Sequence, residues 1–239
     1  MVDHDLARRA SAEAVGTGLL VAAVVGSGIA AQRLSPGDSG LELLENALAT
    51  GAALVALILA LGPISGAHLN PVVTLADRLL GGMSTRAAAV YVGAQVAGAC
   101  AGAIVANLMF ELPAVTMSTH TRASTAQWLG ELVATFGLVL VVLCVARAGR
   151  AETPALAVGA YITAAYWFTS STSFANPAVT VGRTLTDSFA GIAPESAPAF
   201  VLVQVVGASA AIALVRFWRP DVPAADLVVS HRDEGRRGG

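Results

Sequence analysis

Ser65-Gly66-Ala67-His68-Leu69-Asn70-Pro71-Val72-Val73-Thr74 decides the fold, because its core returns as Asn176-Pro177-Ala178-Val179-Thr180. Each Asn-Pro follows one apolar stretch and opens a short second one, Val72–Leu80 and Ala178–Leu185. Proline is favoured at the first helical position, where its missing N–H costs nothing, and asparagine caps the position before it. Each pair therefore predicts a helix start. At about 1.5 Å per residue, helices this short cannot cross a hydrocarbon layer about 30 Å thick. They read as half-helices that enter a membrane without spanning it.

The repeat extends outward on both sides. Glu13-Ala14-Val15-Gly16-Thr17 returns as Glu131-Leu132-Val133-Ala134-Thr135, and Ala94-Gln95-Val96-Ala97-Gly98-Ala99 as Val203-Gln204-Val205-Val206-Gly207-Ala208. The order Glu, Asn-Pro, Gln is the same in the two halves, at about 8–110 and 126–219. Apolar stretches at about Ala10–Ala31, Ala47–Ile64, Ala87–Phe110, Trp128–Ala148, Pro154–Thr169 and Ala197–Trp218 supply three spans per half. An odd number of spans forces the halves into opposite topologies. That inverted-repeat plan places a site between the halves near the bilayer midplane. Irregular backbone is tolerated there only where it lines a cavity. The expected fold is an all-α membrane protein of six transmembrane helices plus two half-helices in an inverted repeat. It occupies 1–219, and a polar cytoplasmic tail occupies 220–239.

Composition agrees. Of 239 residues, 55% are apolar and 13% charged, against about 25% charged in an average soluble domain. A soluble bundle would need more charge to wet its surface. The net charge of -2 argues against nucleic acid as a partner, since its binders are usually basic. Gly98 and Gly102 give the small-xxx-small spacing that lets helices approach closely in lipid. The first stretch follows Arg8 and Arg9 as a signal peptide would, but the embedded Glu13 and its later copy mark a retained span. With the N-terminus inside, only Arg33, Arg122 and Arg183 of the 14 basic residues fall on outer segments. The positive-inside rule then puts both termini in the cytoplasm. Cys100 and Cys144 lie inside apolar stretches, in no metal or disulfide spacing. No cofactor, metal or enzymatic motif is evident.

At the paired Asn-Pro motifs the chain resembles the major intrinsic protein family, the aquaporins and aquaglyceroporins, from roughly Ala10 to Trp218. The resemblance implies a narrow pore in each chain and a homotetramer in an inner plasma membrane. It implies that Asn70 and Asn176 donate to a passing hydroxyl beside Pro71, Val72, Pro177 and Ala178. It assigns acceptor ladders to the carbonyls of Gly66, Ala67 and His68 and of Thr172, Ser173 and Phe174. Glu13 and Glu131 match the family's buried acids, which hold the half-helix loops, and His68 is expected to brace its loop. The positive ends of the half-helices would disfavour cations at the centre.

Two departures bear on selectivity. Val72 replaces the alanine of the first motif. Counting from the asparagines, the family's constriction positions fall on Thr50, Ala164, Ser173 and Val179, with Val179 where arginine is usual. With no aromatic and no charge there, the constriction is expected to be wider and less polar than in a water channel. Phe174-Ala175-Asn176-Pro177-Ala178-Val179-Thr180-Val181-Gly182-Arg183-Thr184 is also similar to the aquaglyceroporin branch associated with bacterial arsenic resistance. The implied function is a passive, bidirectional channel for arsenite, antimonite and small polyols such as glycerol, with some water. A general water or glycerol pore without a metalloid role stays open, as, more remotely, does an ion-coupled transporter on the same inverted plan. Arg183 lies four residues after Val179. It either charges the outer vestibule or pairs with Asp187 on the surface; the surface pair is the expectation.

Overall fold

The computed structural model describes residues 2–145 and 152–219, all of them helical or in connecting loops. The tail at 220–239 and Arg147, Arg150, Arg232, Arg236 and Arg237, which enter the expected orientation, lie outside the described residues.

Among the described residues eight helices follow the repeat: α1 (Val2–Leu34), α2 (Ser39–Ser65), α3 (Pro71–Leu79), α4 (Thr85–Met109), α5 (Thr125–Val145), α6 (Glu152–Phe168), α7 (Pro177–Gly182) and α8 (Ala197–Trp218). A 3-10 turn at Arg183–Leu185 continues α7. Five of them, α1, α2, α4, α5 and α8, are long and apolar enough to cross a membrane. The described part of α6, at 17 residues, is shorter. Exposed leucines such as Leu129 and Leu202, each more than 60% accessible, stud the outside. Inside a membrane such exposure would carry none of the cost that it has in water.

The first three spans and the last three pack alike. α1 lies against α2 and α4, and α5 against α6 and α8. Glycine permits the tight crossings. A Cβ on Gly98 would fall onto the Ala14 carbonyl, and one on Gly102 onto the Gly18 carbonyl. The matching Gly207 would put a Cβ 2.5 Å from the Leu132 carbonyl oxygen. The halves meet along α2 and α6, where Gly51 and Gly159 face one another. Each half-helix also reaches the other half: α7 packs against α4, and α3 against α8.

Candidate functional site: a cavity at the meeting half-helices

Glu13 and Glu131 are fully buried on the two opening spans. Glu13 accepts from the Ser65 hydroxyl (2.6 Å), the His68 and Leu69 amides (3.0 and 2.7 Å) and the Gln95 side chain (2.8 Å). Glu131 accepts from the Phe174 and Ala175 amides (2.8 and 2.9 Å) and from Gln204 (2.6 Å). Gln95 and Gln204 each reach on to a threonine of the adjoining half-helix, Thr74 and Thr180, at 3.0 Å. The sequence repeat is thus a repeat of hydrogen bonds.

These bonds hold a costly backbone. Ala67, Leu69, Ser173 and Ala175 have φ between 47° and 51°, a region non-glycine residues enter at about 1–3 kcal/mol each. Such a loop persists only if its surroundings over-determine it. The carboxylates do so by taking consecutive amides. His68 braces the same loop from its ring: Nδ1 is 3.1 Å from the Thr74 hydroxyl and Nε2 is 3.7 Å from Asp77.

The asparagines tie the two loops together. Asn70 Oδ1 accepts from the Val72 amide, and Asn176 Oδ1 from the Ala178 and Val179 amides, capping α3 and α7. Asn70 Nδ2 donates to the Ala175 carbonyl and Asn176 Nδ2 to the Leu69 carbonyl, both at 2.8 Å. An amide nitrogen has two hydrogens, so each asparagine keeps one N–H beyond this cross-link. Both residues line a cavity of about 110 Å³.

That cavity has two characters. Leu20, Leu54, Leu138, Val158 and Ile162 give it an apolar side. Gly66, Ala67, His68, Ser173 and Phe174 line it from the loops, with Asp77 and Arg183 also on its wall. Thr172, expected in the second ladder, is not on this wall; its amide donates to the Thr169 carbonyl in a turn. Pro71, Val72, Pro177 and Ala178 are buried behind the asparagines, Val72 in a cluster with Val139 and Leu143.

Three of the four positions counted as a constriction line the cavity: Thr50, Ser173 and Val179. Ala164 does not. It is exposed on the outside of α6, and Tyr166 and Ile162 face the cavity instead. Counting back from Asn176 missed the helix face. Ala155, Val158, Ile162, Ala165 and Tyr166 are buried at helical spacing, and Ala164 falls off that stripe. The Tyr166 hydroxyl is 3.1 Å from that of Thr50, so the wall keeps an aromatic that the count had removed.

Arg183 also corrects the expectation. It does not pair with Asp187, which accepts instead from the Thr119 amide and hydroxyl. Arg183 is 1% exposed and lines the cavity. Its guanidinium lies 3.4 Å from the Phe174 ring centroid, and Nε donates to the Ala190 carbonyl. Arg122 stands near the same ring, at 5.0 Å, and donates to the Gly191 and Ser171 carbonyls. The wall therefore retains a charge. Four residues make about one helical turn, which carries Arg183 past Val179 on the cavity side. Arg122, Tyr166 and Asp77 gave no motif signal in the sequence; only the buried stripe of α6 could have pointed to Tyr166.

Residues 1–175 match the family model described as Major intrinsic protein. Aquaglyceroporin AqpS of Rhizobium meliloti (strain 1021) is 55% identical over 217 residues, covering 91% of this chain and 92% of that one. Probable aquaporin NIP7-1 of Arabidopsis thaliana is 36% identical over 135 residues, 56% of this chain and 48% of its own. The X-ray structure of the aquaglyceroporin from Plasmodium falciparum superposes with a TM-score of 0.68, covering 93% of this chain and all of that one at 23% identity. With the paired Asn-Pro half-helices and the buried acids that brace them, the chain belongs to the major intrinsic protein family, a multi-pass integral membrane protein and not an enzyme.

Proposed function

We propose that the cavity is a passive, bidirectional pore for small neutral solutes, favouring arsenite, antimonite and small polyols such as glycerol and passing some water. The observation that carries this reading is the two-sided wall around Asn70 and Asn176: loop acceptors and amide donors on one side, leucine and valine on the other. A solute moving along it exchanges water for loop carbonyls and the spare N–H of each asparagine. Its carbon or arsenic skeleton meets the apolar side, where no polar group is lost to it. Glycerol and As(OH)3 are both neutral at pH 7 and carry three hydroxyls each, a fit to that wall.

Val179, in place of the usual arginine, supports solutes wider than water. The Thr50–Tyr166 pair adds hydroxyls at the same constriction. The name of the Rhizobium meliloti relative, an aquaglyceroporin, is in keeping with the glycerol and water part of this reading. Four chains per assembly in the plasma membrane, with both termini cytoplasmic and lipid against the exposed leucines, complete the reading.

Stopped-flow measurement of water, glycerol and arsenite in proteoliposomes tests it. Arsenite and glycerol should both equilibrate well above protein-free vesicles. Water flux alone would leave a plain water pore, and uptake of none of them would refute the channel.

A further inference from the structure

The cavity wall carries a guanidinium that the family's constriction count does not predict. Resting on the channel reading above, we propose that Arg183 is the charge-discriminating residue of this pore. It would take over from a position one helical turn away the cation barrier that Val179 cannot provide.

Four observations converge on it. Arg183 is among the largest fully buried side chains of the described residues, and it lines the cavity. Its Nε is held by the Ala190 carbonyl and its Cζ sits over the Phe174 ring, so its position is fixed. Among the described residues its two terminal nitrogens have no hydrogen-bond partner, which leaves up to four N–H donors for whatever occupies the cavity. Among the described residues no acid forms a salt bridge with it: Asp187, four residues on, accepts from Thr119, Asp77 on the same wall lies 3.7 Å from His68 Nε2, and Glu131 accepts from loop amides and Gln204.

A fixed positive charge without a salt-bridge partner on a low-dielectric wall lowers the local concentration of cations and exerts no net charge force on neutral solutes. The same N–H donors would take acceptor oxygens from a polyhydroxylated solute. Val179 keeps the constriction wide, and Arg183 keeps it closed to cations. Width and charge selection, which one arginine combines when it stands at the constriction itself, are here separated onto two residues of one half-helix. Arg122, on the same ring, is bonded to the Gly191 and Ser171 carbonyls and does not line the cavity. It supports Phe174 and is not itself the barrier.

Urea and guanidinium provide a matched pair of probes, alike in shape and different in charge. Uptake of both is measured in proteoliposomes with the membrane potential clamped. Wild type should pass urea and exclude guanidinium. Arg183→Gln keeps a planar donor group without the charge. It should raise the ratio of guanidinium to urea uptake by about tenfold or more, the low end of what a focused charge does to local ion concentration. Arg183→Lys should stay closed to guanidinium. Arg183→His keeps the question answerable if Arg183→Gln does not insert, because one folded protein is read in two charge states. It should exclude guanidinium at pH 5 and admit it at pH 8. Adding Val179→Arg to Arg183→Gln should restore exclusion. If Arg183→Gln conducts urea and still excludes guanidinium, or if leakage through Arg183→His ignores pH, the barrier lies elsewhere and the assignment is overturned. If wild type passes neither urea nor glycerol, the channel reading fails first, and that outcome is distinct.

Discussion

Asn176 joins three parts of the molecule through one side chain. Its oxygen caps α7, one hydrogen holds the Leu69 carbonyl of the opposite loop, and the other is left for the cavity. Asn176→Leu removes all three, leaving a buried carbonyl and two amides unmet, at about 1–3 kcal/mol each. Insertion should weaken, and protein that does insert should lose solute flux; near-normal glycerol flux in well-inserted protein would contradict the pore assignment. Glu131→Gln is a sharper test of bracing. The carboxylate takes three donors, whereas the amide turns an NH2 toward at least one of them. The loss of charge-assisted bonds is about 1.5–3 kcal/mol each, so the thermal midpoint in detergent should fall clearly. An unchanged midpoint would show that Glu131 is not what holds the loop. Val179→Arg probes width. A guanidinium there would crowd glycerol and arsenite as they shed their hydration, while water would gain donors. Flux of the larger solutes should drop much more than that of water, and equal loss would remove Val179 from the selectivity argument.

At the scale of elements, close crossing is the controlling feature. Gly98 on α4 meets the Ala14 carbonyl of α1, and a branched side chain there has no flexible neighbour to displace. Gly98→Val should separate α1 from α4. That pulls Glu13 away from Gln95 and loosens the first loop, so the variant should be poorly inserted and inactive. Gly93, whose Cβ would meet nothing within 4 Å, is the control: Gly93→Ala should insert normally. Normal insertion and flux in Gly98→Val would mean the crossing has slack the geometry denies. The elements were legible in the sequence because their signals are local. An Asn-Pro start, a run of apolar residues and a small-xxx-small spacing each read on one segment, and α8 falls where its apolar stretch does, Ala197–Trp218. The apolar run after the second Asn-Pro reaches Leu185, but its α-helix ends at Gly182 and tightens to 3-10 geometry from Arg183. The site was legible only where it repeats. Glu13 and Glu131, Asn70 and Asn176, and Gln95 and Gln204 announce one another. Ala164 and Arg183 have no partner in the other half, so nothing but a residue count or a nearby acid placed them. Which face of α6 turns inward, and which carbonyl holds an arginine, are set by packing between distant segments.

At the scale of the molecule, the inverted repeat is shared by channels and by transporters that rock one half against the other. The two plans differ in whether the halves can part. Here they are interlocked at the centre. The Asn70 and Asn176 side chains donate across the boundary in both directions, α7 packs against α4, and α3 packs against α8. Rocking would have to break both cross-links together, each in a buried site where an unpaired carbonyl is costly. Glu13 and Glu131 each accept from two neighbouring loop amides, so both carboxylates hold the half-helix loops in place on either side of that boundary. A pore with fixed halves runs downhill in either direction. Glycerol loaded inside proteoliposomes should therefore leave with the same rate constant at which external glycerol enters, and a protonophore or a sodium ionophore should change neither. The internal concentration should approach the external one and stop there. Accumulation above it, or collapse of uptake on adding an ionophore, would mean that the cross-links at Asn70 and Asn176 open during transport and that the halves move.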